Sequence, residues 1–214
     1  SCHGKSYLKS GAFNPISARS TGKIPSMPRL LLIKHSHPIA DLDSPPATWE
    51  LSERGRHRAG LLAEYLADRN IDALYSSGEV KAVQTAEFVS TTTGLPIHIE
   101  PDLREHEREN TQIIDDDEWR SLVIESIRHP DELIYGTEPV ATARDRFGVA
   151  IDRLMNGRDR QTVAIVAHGT VISTFLASLL KIDPIPIWDS LGLPGFVEFD
   201  WPRPSKVLTR QNFE

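Results

Sequence analysis

Two aliphatic runs stand out from an otherwise mixed chain, Leu30-Leu31-Leu32-Ile33 and Val163-Ala164-Ile165-Val166-Ala167. Neither alternates with polar positions, and both are far short of the roughly 20 apolar residues that a membrane helix needs. Continuous runs of this length mark strands buried on both faces, so strands are predicted over 29–34 and 162–167. Elsewhere the period is helical. Ala59, Leu62, Ala63 and Leu66 fall at i, i+3, i+4 and i+7 within a helix predicted over 53–69. A helix over 79–91 stops at Gly94, and another over 115–128 opens with Asp115-Asp116-Asp117-Glu118, which suits its dipole. Thr137 is expected to cap a further helix with Pro139 in its first turn and Val140, Phe147, Ile151 and Leu154 as its apolar stripe. One more helix is expected over 170–180, and short strands over 73–75, 97–99 and 196–199. The proline-bearing stretch 36–52 reads as a loop.

Strands alternating with helices predict an α/β three-layer sandwich, with a mostly parallel central sheet and helices on both faces. The 214 residues at 23.9 kDa fit one domain with an appendage. Residues 1–26 form that appendage. They carry Lys5, Lys9, Arg19 and Lys23, no acid and many Ser and Gly. We read them as a basic leader outside the fold, and 27–214 as a single domain. The Gly4-Lys5-Ser6 triplet lacks the strand and glycine spacing of a phosphate loop. No apolar secretory core is present, so the cytoplasm is the expected location. The net charge of −6 argues against nucleic acid or an anionic membrane as partner. The single cysteine, Cys2, leaves the body without a thiol nucleophile, a disulfide or a Cys-bound metal.

Ligands of open α/β sheets bind beyond the carboxyl ends of strands. Two predicted strands end there in histidine, at His35 and His168, the latter just before a helix whose free N–H groups attract anions. Lys34 precedes His35, and Lys81 lies one turn beyond Ser76-Ser77. Two lysines, an imidazolium and helix N-termini suit a dianion. Such clustering serves phosphoryl transfer, where catalysis is largely positioning and charge stabilisation.

The motifs Lys34-His35-Ser36, Trp49-Glu50-Leu51-Ser52-Glu53-Arg54-Gly55, Ser76-Ser77-Gly78-Glu79-Val80-Lys81-Ala82-Val83-Gln84-Thr85-Ala86, Leu103-Arg104-Glu105 and Val166-Ala167-His168-Gly169 follow one another in the order and spacing of the histidine phosphatase superfamily, which the chain resembles from about Leu30 to about Phe199. The resemblance implies that His35 is phosphorylated, that Lys34, Lys81, His168 and the backbone at Gly169 bind the phosphoryl group, and that Glu105 is the proton donor, with Glu107 and Glu109 as close competitors. It implies a metal-independent phosphatase that uses no cofactor and acts on a small phosphorylated metabolite. A homodimer is left open.

The chain departs from the family in four places. Both motif arginines are lysines, which are point charges rather than planar forks. Ser36 stands for Gly, which requires a backbone without positive φ. Asp41 stands where many members have Asn, and Pro38 where a hydroxyl is common. The alternative reading is a non-catalytic phosphate-binding or scaffold member of the same fold. A phosphoglycerate-type mutase and a metal-dependent hydrolase built on His35-Ser36-His37 rank lower; barrels of the latter kind need about 250 residues. The segments 36–48 and 105–134 should shape the pocket mouth. Both are acidic, which favours a small monoester. Trp49, Trp119 and Trp188 are candidates for an apolar recess, with core packing as their commoner role.

Overall fold

The computed structural model describes residues 27–108, 115–202 and 209–213; residues 1–26, with the expected leader and its Gly4-Lys5-Ser6 triplet, lie outside them. The side chains of β1 (Arg29–Lys34) point alternately to two separate cores. Leu30 and Leu32 join Val163 and Ile165 against Phe147, Ile151, Val171 and Phe175. Leu31 and Ile33 join Ala164 and Val166 against Leu62, Leu66, Ala82 and Val89. This is why the two runs lack alternation: both strand faces are covered by helices.

The remaining strands are β2 (Ala73–Ser76), β3 (Ile97–Ile99), β4 (Thr162–Ala167), β5 (Gly195–Asp200) and β6 (Thr209–Asn212). They form one sheet in the order β3-β2-β4-β1-β5-β6. The first four of that order are parallel, and β5 and β6 are antiparallel additions. Helices α1 (Glu53–Leu66) and α2 (Val80–Thr93) cover one face, and α4 (Val140–Met155) and α5 (Gly169–Leu180) the other. The expected three layers are therefore present, and the sheet is mixed. Helix α3 (Asp116–Arg128) starts at the acidic run, with Asp115 accepting from the Glu118 N–H as its cap. Gly94 ends α2 in the left-handed region, as its position suggests.

Two differences from the sequence reading have local causes. Helix α4 begins at Val140 with Pro139 as its cap residue, not inside the first turn, and the Thr137 hydroxyl is drawn off to Glu107 at 2.6 Å. Helix α6 (Pro184–Ser190) and strand β6 have no counterpart in the sequence pattern. The first is seven residues with two prolines, and the second is the polar stretch Thr-Arg-Gln-Asn.

Parallel pairing sets the level of the chemistry. Lys34 of β1 lies opposite Ala167 of β4, so His35 and His168 leave the sheet side by side. The ladder runs one step further: the His35 N–H donates to Ala167 and the Ser77 N–H to Val166, each at 3.0 Å. Three strands thus deliver His35, Ser77 and His168 to one point.

Candidate active site

A cleft of about 530 Å³ opens at these strand ends, with Lys34, His35, Lys81, Glu105, His168 and Gly169 in its wall. The two imidazole rings stand 5.2 Å apart. His35 Nδ1 lies 2.7 Å from the Ser36 carbonyl oxygen. A carbonyl only accepts, so Nδ1 carries the proton and Nε2 keeps its lone pair. Burial, then the neighbouring His168 and Lys81, hold the His35 pKa well below its usual value, so the ring is neutral at pH 7. Ser36 is tied on both sides, its N–H donating to Thr85 and its hydroxyl to Gly55. It is not among the described non-glycine residues with positive φ, so the exchange for Gly costs no backbone strain. Gly55, by contrast, is required: a Cβ there would sit 2.1 Å from the His37 carbonyl oxygen.

Glu79, which the spacing of its motif left as an unread position, lies at the centre of the site. One oxygen pairs with the Lys81 ammonium; the other accepts from the Glu105 N–H at 2.8 Å and lies 3.3 Å from His168 Nε2. Burial alone would raise this carboxyl, but His168 and Lys81 beside it bring it down to about 2. Lys81 also donates to the Pro46 carbonyl at 2.7 Å; burial lowers its pKa and Glu79 opposes that. Lys34 reaches the Leu191 carbonyl at 2.9 Å, in space that Gly169 leaves open: a Cβ there would lie 3.2 Å from Lys34 Cε. His168 is fully buried, with Nε2 2.8 Å from the Ser77 hydroxyl and Nδ1 lacking a partner among the described residues. Burial lowers its pKa, and Glu79 opposes the shift.

Glu105 is set against the start of α5. Its carboxylate accepts from the N–H groups of Thr170 (3.0 Å) and Val171 (3.2 Å), so part of the expected anion attraction of that helix is already met by the protein. Its backbone is held by Arg146 of α4, whose guanidinium donates to the carbonyls of Asp102, Arg104 and Glu105 and to Glu138. Glu107 is engaged by Arg104 and Thr137 and does not line the cleft, and Glu109 lies outside the described residues.

A family model described as the histidine phosphatase superfamily (branch 1) matches residues 35–212. The chain belongs to this superfamily. Phosphoserine phosphatase 1 of Hydrogenobacter thermophilus is 24% identical over 152 residues, covering 65% of this chain and 68% of the relative. Glucosyl-3-phosphoglycerate phosphatase of Mycolicibacterium vanbaalenii is 29% identical over 164 residues, covering 68% and 69%. A solved mycobacterial glucosyl-3-phosphoglycerate phosphatase superposes with a TM-score of 0.63 at 25% identity, over 79% of this chain and 88% of that one. The chain spans about two thirds of the length of the curated relatives it matches. Family membership and phosphatase-named relatives bear out the expected enzyme class, a phosphatase. Among the described residues no helix is long and apolar enough to cross a membrane.

The walls of this histidine phosphatase cleft depart from the acidic mouth that the sequence suggests. Asp41 and Asp43 are exposed and do not line it; the loop contributes His37, Pro38 and Ala40. Trp49, Trp119 and Trp188 all line it. Arg108, unremarked in the sequence because it belongs to no motif, lies over the Trp49 ring at 5.0 Å and the Trp119 ring at 4.5 Å. Burial lowers its pKa, Glu105 and Glu79 oppose that, and it remains a cation. The cleft therefore does contain a guanidinium, brought by the segment after β3 rather than by the motif positions that lysine occupies. His37 Nδ1 is engaged with the Ser52 hydroxyl at 3.1 Å, and among the described residues no group of three or more His, Cys, Asp or Glu side chains is placed to hold a metal ion.

Proposed function

We propose that the protein hydrolyses phosphomonoesters of small metabolites through a phosphohistidine at His35, without a metal ion. The observation that carries this reading is the His35 tautomer: Nδ1–H is bound to its neighbour's carbonyl, which leaves the unprotonated Nε2 of a neutral ring as nucleophile. In the first step Nε2 attacks phosphorus, the P–N bond forms, the P–O ester bond breaks, and Glu105 gives a proton to the departing oxygen. In the second, water attacks the phosphohistidine, Glu105 takes its proton, and His35 is released with inorganic phosphate. Lys34, Lys81, Arg108 and His168 would share the charge of the transferring group. Bringing a dianion beside His168 favours its imidazolium form, with Nε2–H toward Ser77 and Glu79 and Nδ1–H available to a phosphoryl oxygen.

The names of the relatives, a phosphoserine phosphatase and a glucosyl-3-phosphoglycerate phosphatase, support a small phosphorylated metabolite as substrate. A metabolite panel assayed with chelator present tests the reading. Turnover should persist in chelator, and label from a phosphorylated donor should survive an alkaline quench, vanish in acid and be absent in His35→Ala. Turnover lost to chelator and restored by zinc or manganese, or equal labelling of His35→Ala, would overturn it.

A further inference from the structure

The phosphoryl end accounts for only one side of the opening. Lys34, His37, Trp188 and Leu193 line the cleft and also a second hollow of about 310 Å³ beside it, so the two adjoin. The far wall of this annex is made by Arg54 and Arg58 of α1, Arg120 of α3 and Asp189 of α6. Arg120 is neutralised by a two-pronged pair with Asp189 of α6. Arg54 and Arg58 are not: among the described residues neither makes an ion pair with an acid, and the Arg58 side chain donates to the Leu193 carbonyl at 3.3 Å.

The placement of these two arginines is unfavourable for the helix that carries them. They sit in the first turns of α1, where the macrodipole disfavours cations, and Glu53 is the lone acid of the first turn. They are also four residues apart, so like charges share one face, which is unfavourable. Arg56, between them, is relieved by Glu50; Arg54 and Arg58 instead face His37, whose pKa burial and then these two cations lower. A chain of net charge −6 thus gathers two arginines without an acidic partner among the described residues at one hollow adjoining the cleft of its nucleophile.

We infer that this annex binds a second anionic group on the substrate's leaving portion, so that the preferred substrates are phosphomonoesters also carrying a carboxylate or a further phosphoryl group. This rests on the phosphatase reading of the cleft and adds the substrate class. The ester phosphate is taken between His35, His168 and the two lysines, and the second anion is held by Arg54 and Arg58, with Lys34 between the two sites. The anion supplies what the helix start lacks.

The experiment compares matched esters on the full chain: 3-phosphoglycerate against glycerol 3-phosphate, which exchanges a carboxylate for a hydroxymethyl group, and fructose 1,6-bisphosphate against fructose 6-phosphate. The doubly anionic member of at least one pair should be preferred in kcat/KM by about tenfold or more, the scale of one charge-assisted hydrogen bond. The double change Arg54→Gln, Arg58→Gln should cut that preference by about tenfold to a hundredfold, and Arg54→Lys, Arg58→Lys should restore part of it. Which pair responds tells carboxylate from phosphoryl recognition. The Gln variant loses a dipole clash, so its melting temperature should hold or rise, and misfolding would not mimic the effect. No preference in either pair, or a preference the Gln variant keeps, overturns the annex. Absence of turnover on all four esters defeats the phosphatase reading instead. The annex is then judged by calorimetric binding of the same four compounds, where equal affinities within both pairs overturn it.

Discussion

Lys81 is the side chain with most at stake electrostatically. At 2% exposure its ammonium depends on Glu79 and one carbonyl, and removing one partner of a buried pair costs about 3–5 kcal/mol. Glu79→Leu should therefore lower the urea midpoint sharply, and adding Lys81→Met should recover much of the loss; a double-mutant cycle of unfolding free energies checks this. The pH profile of stability separates the groups. His35 and His168 stay neutral in the fold below their usual value of 6.5, so the unfolded chain binds protons that the native one does not, and stability falls as the pH drops below about 6.5. Glu79 has the depressed pKa of a paired carboxylate, about 2 against an ordinary 4.5; its contribution is complete above 4.5 and disappears as pH falls toward 2. Urea midpoints measured across pH should decline in two stages, with His35→Gln flattening the first and Glu79→Gln the second. Neither Glu79 nor Arg108 was legible in the sequence as part of the site. Both reach it because a strand end and a loop happen to converge there, which local spacing does not encode. The two histidines were legible because each ends an apolar run.

Among the elements, the sequence revealed those that bury a patterned face and concealed those that act through a few polar contacts. Strand β6 is the clearest case of the second kind. Asn212 accepts from the Gly192 N–H and donates to the Ser190 carbonyl, each at 2.9 Å, fixing the turn whose Leu191 and Leu193 carbonyls receive Lys34 and Arg58. A Cβ on Gly195 would come 2.5 Å from the Asn212 amide oxygen, so the turn is built around that side chain. Asn212→Ala should cost about 1–3 kcal/mol through the lost hydrogen bonds. It should also raise KM more than it lowers kcat, because the turn carries the carbonyls that hold two cations of the opening. Thermal unfolding and steady-state kinetics on one preparation check both. Helix α6 is too short to show a helical period: its seven residues divide between Ile187 on the main core, Ile185 and Trp188 against α3, and Asp189 on Arg120.

At the scale of the molecule, the Pro28 carbonyl accepts from the Trp201 N–H immediately before β1, and the composition of residues 1–26 is what sets them apart from the body. Deleting residues 1–26 should leave the melting temperature and turnover unchanged; a marked drop in either would show that the leader packs on the body. The position of β1 has a further consequence for how the chain is made. β1 lies between β4 and β5, with Arg29 opposite Thr162 on one side and Asp200 on the other. The first of the described strands to emerge in synthesis has both partners late in the chain, and the pairings that close the sheet are the long-range ones that slow folding. A nascent chain stopped before Thr162 holds Leu30, Leu31, Leu32 and Ile33 with neither edge paired, a hydrophobic segment that invites association with other chains. Ribosome-stalled or truncated lengths should stay protease-sensitive until β5 is present, and acquire phosphate binding only then.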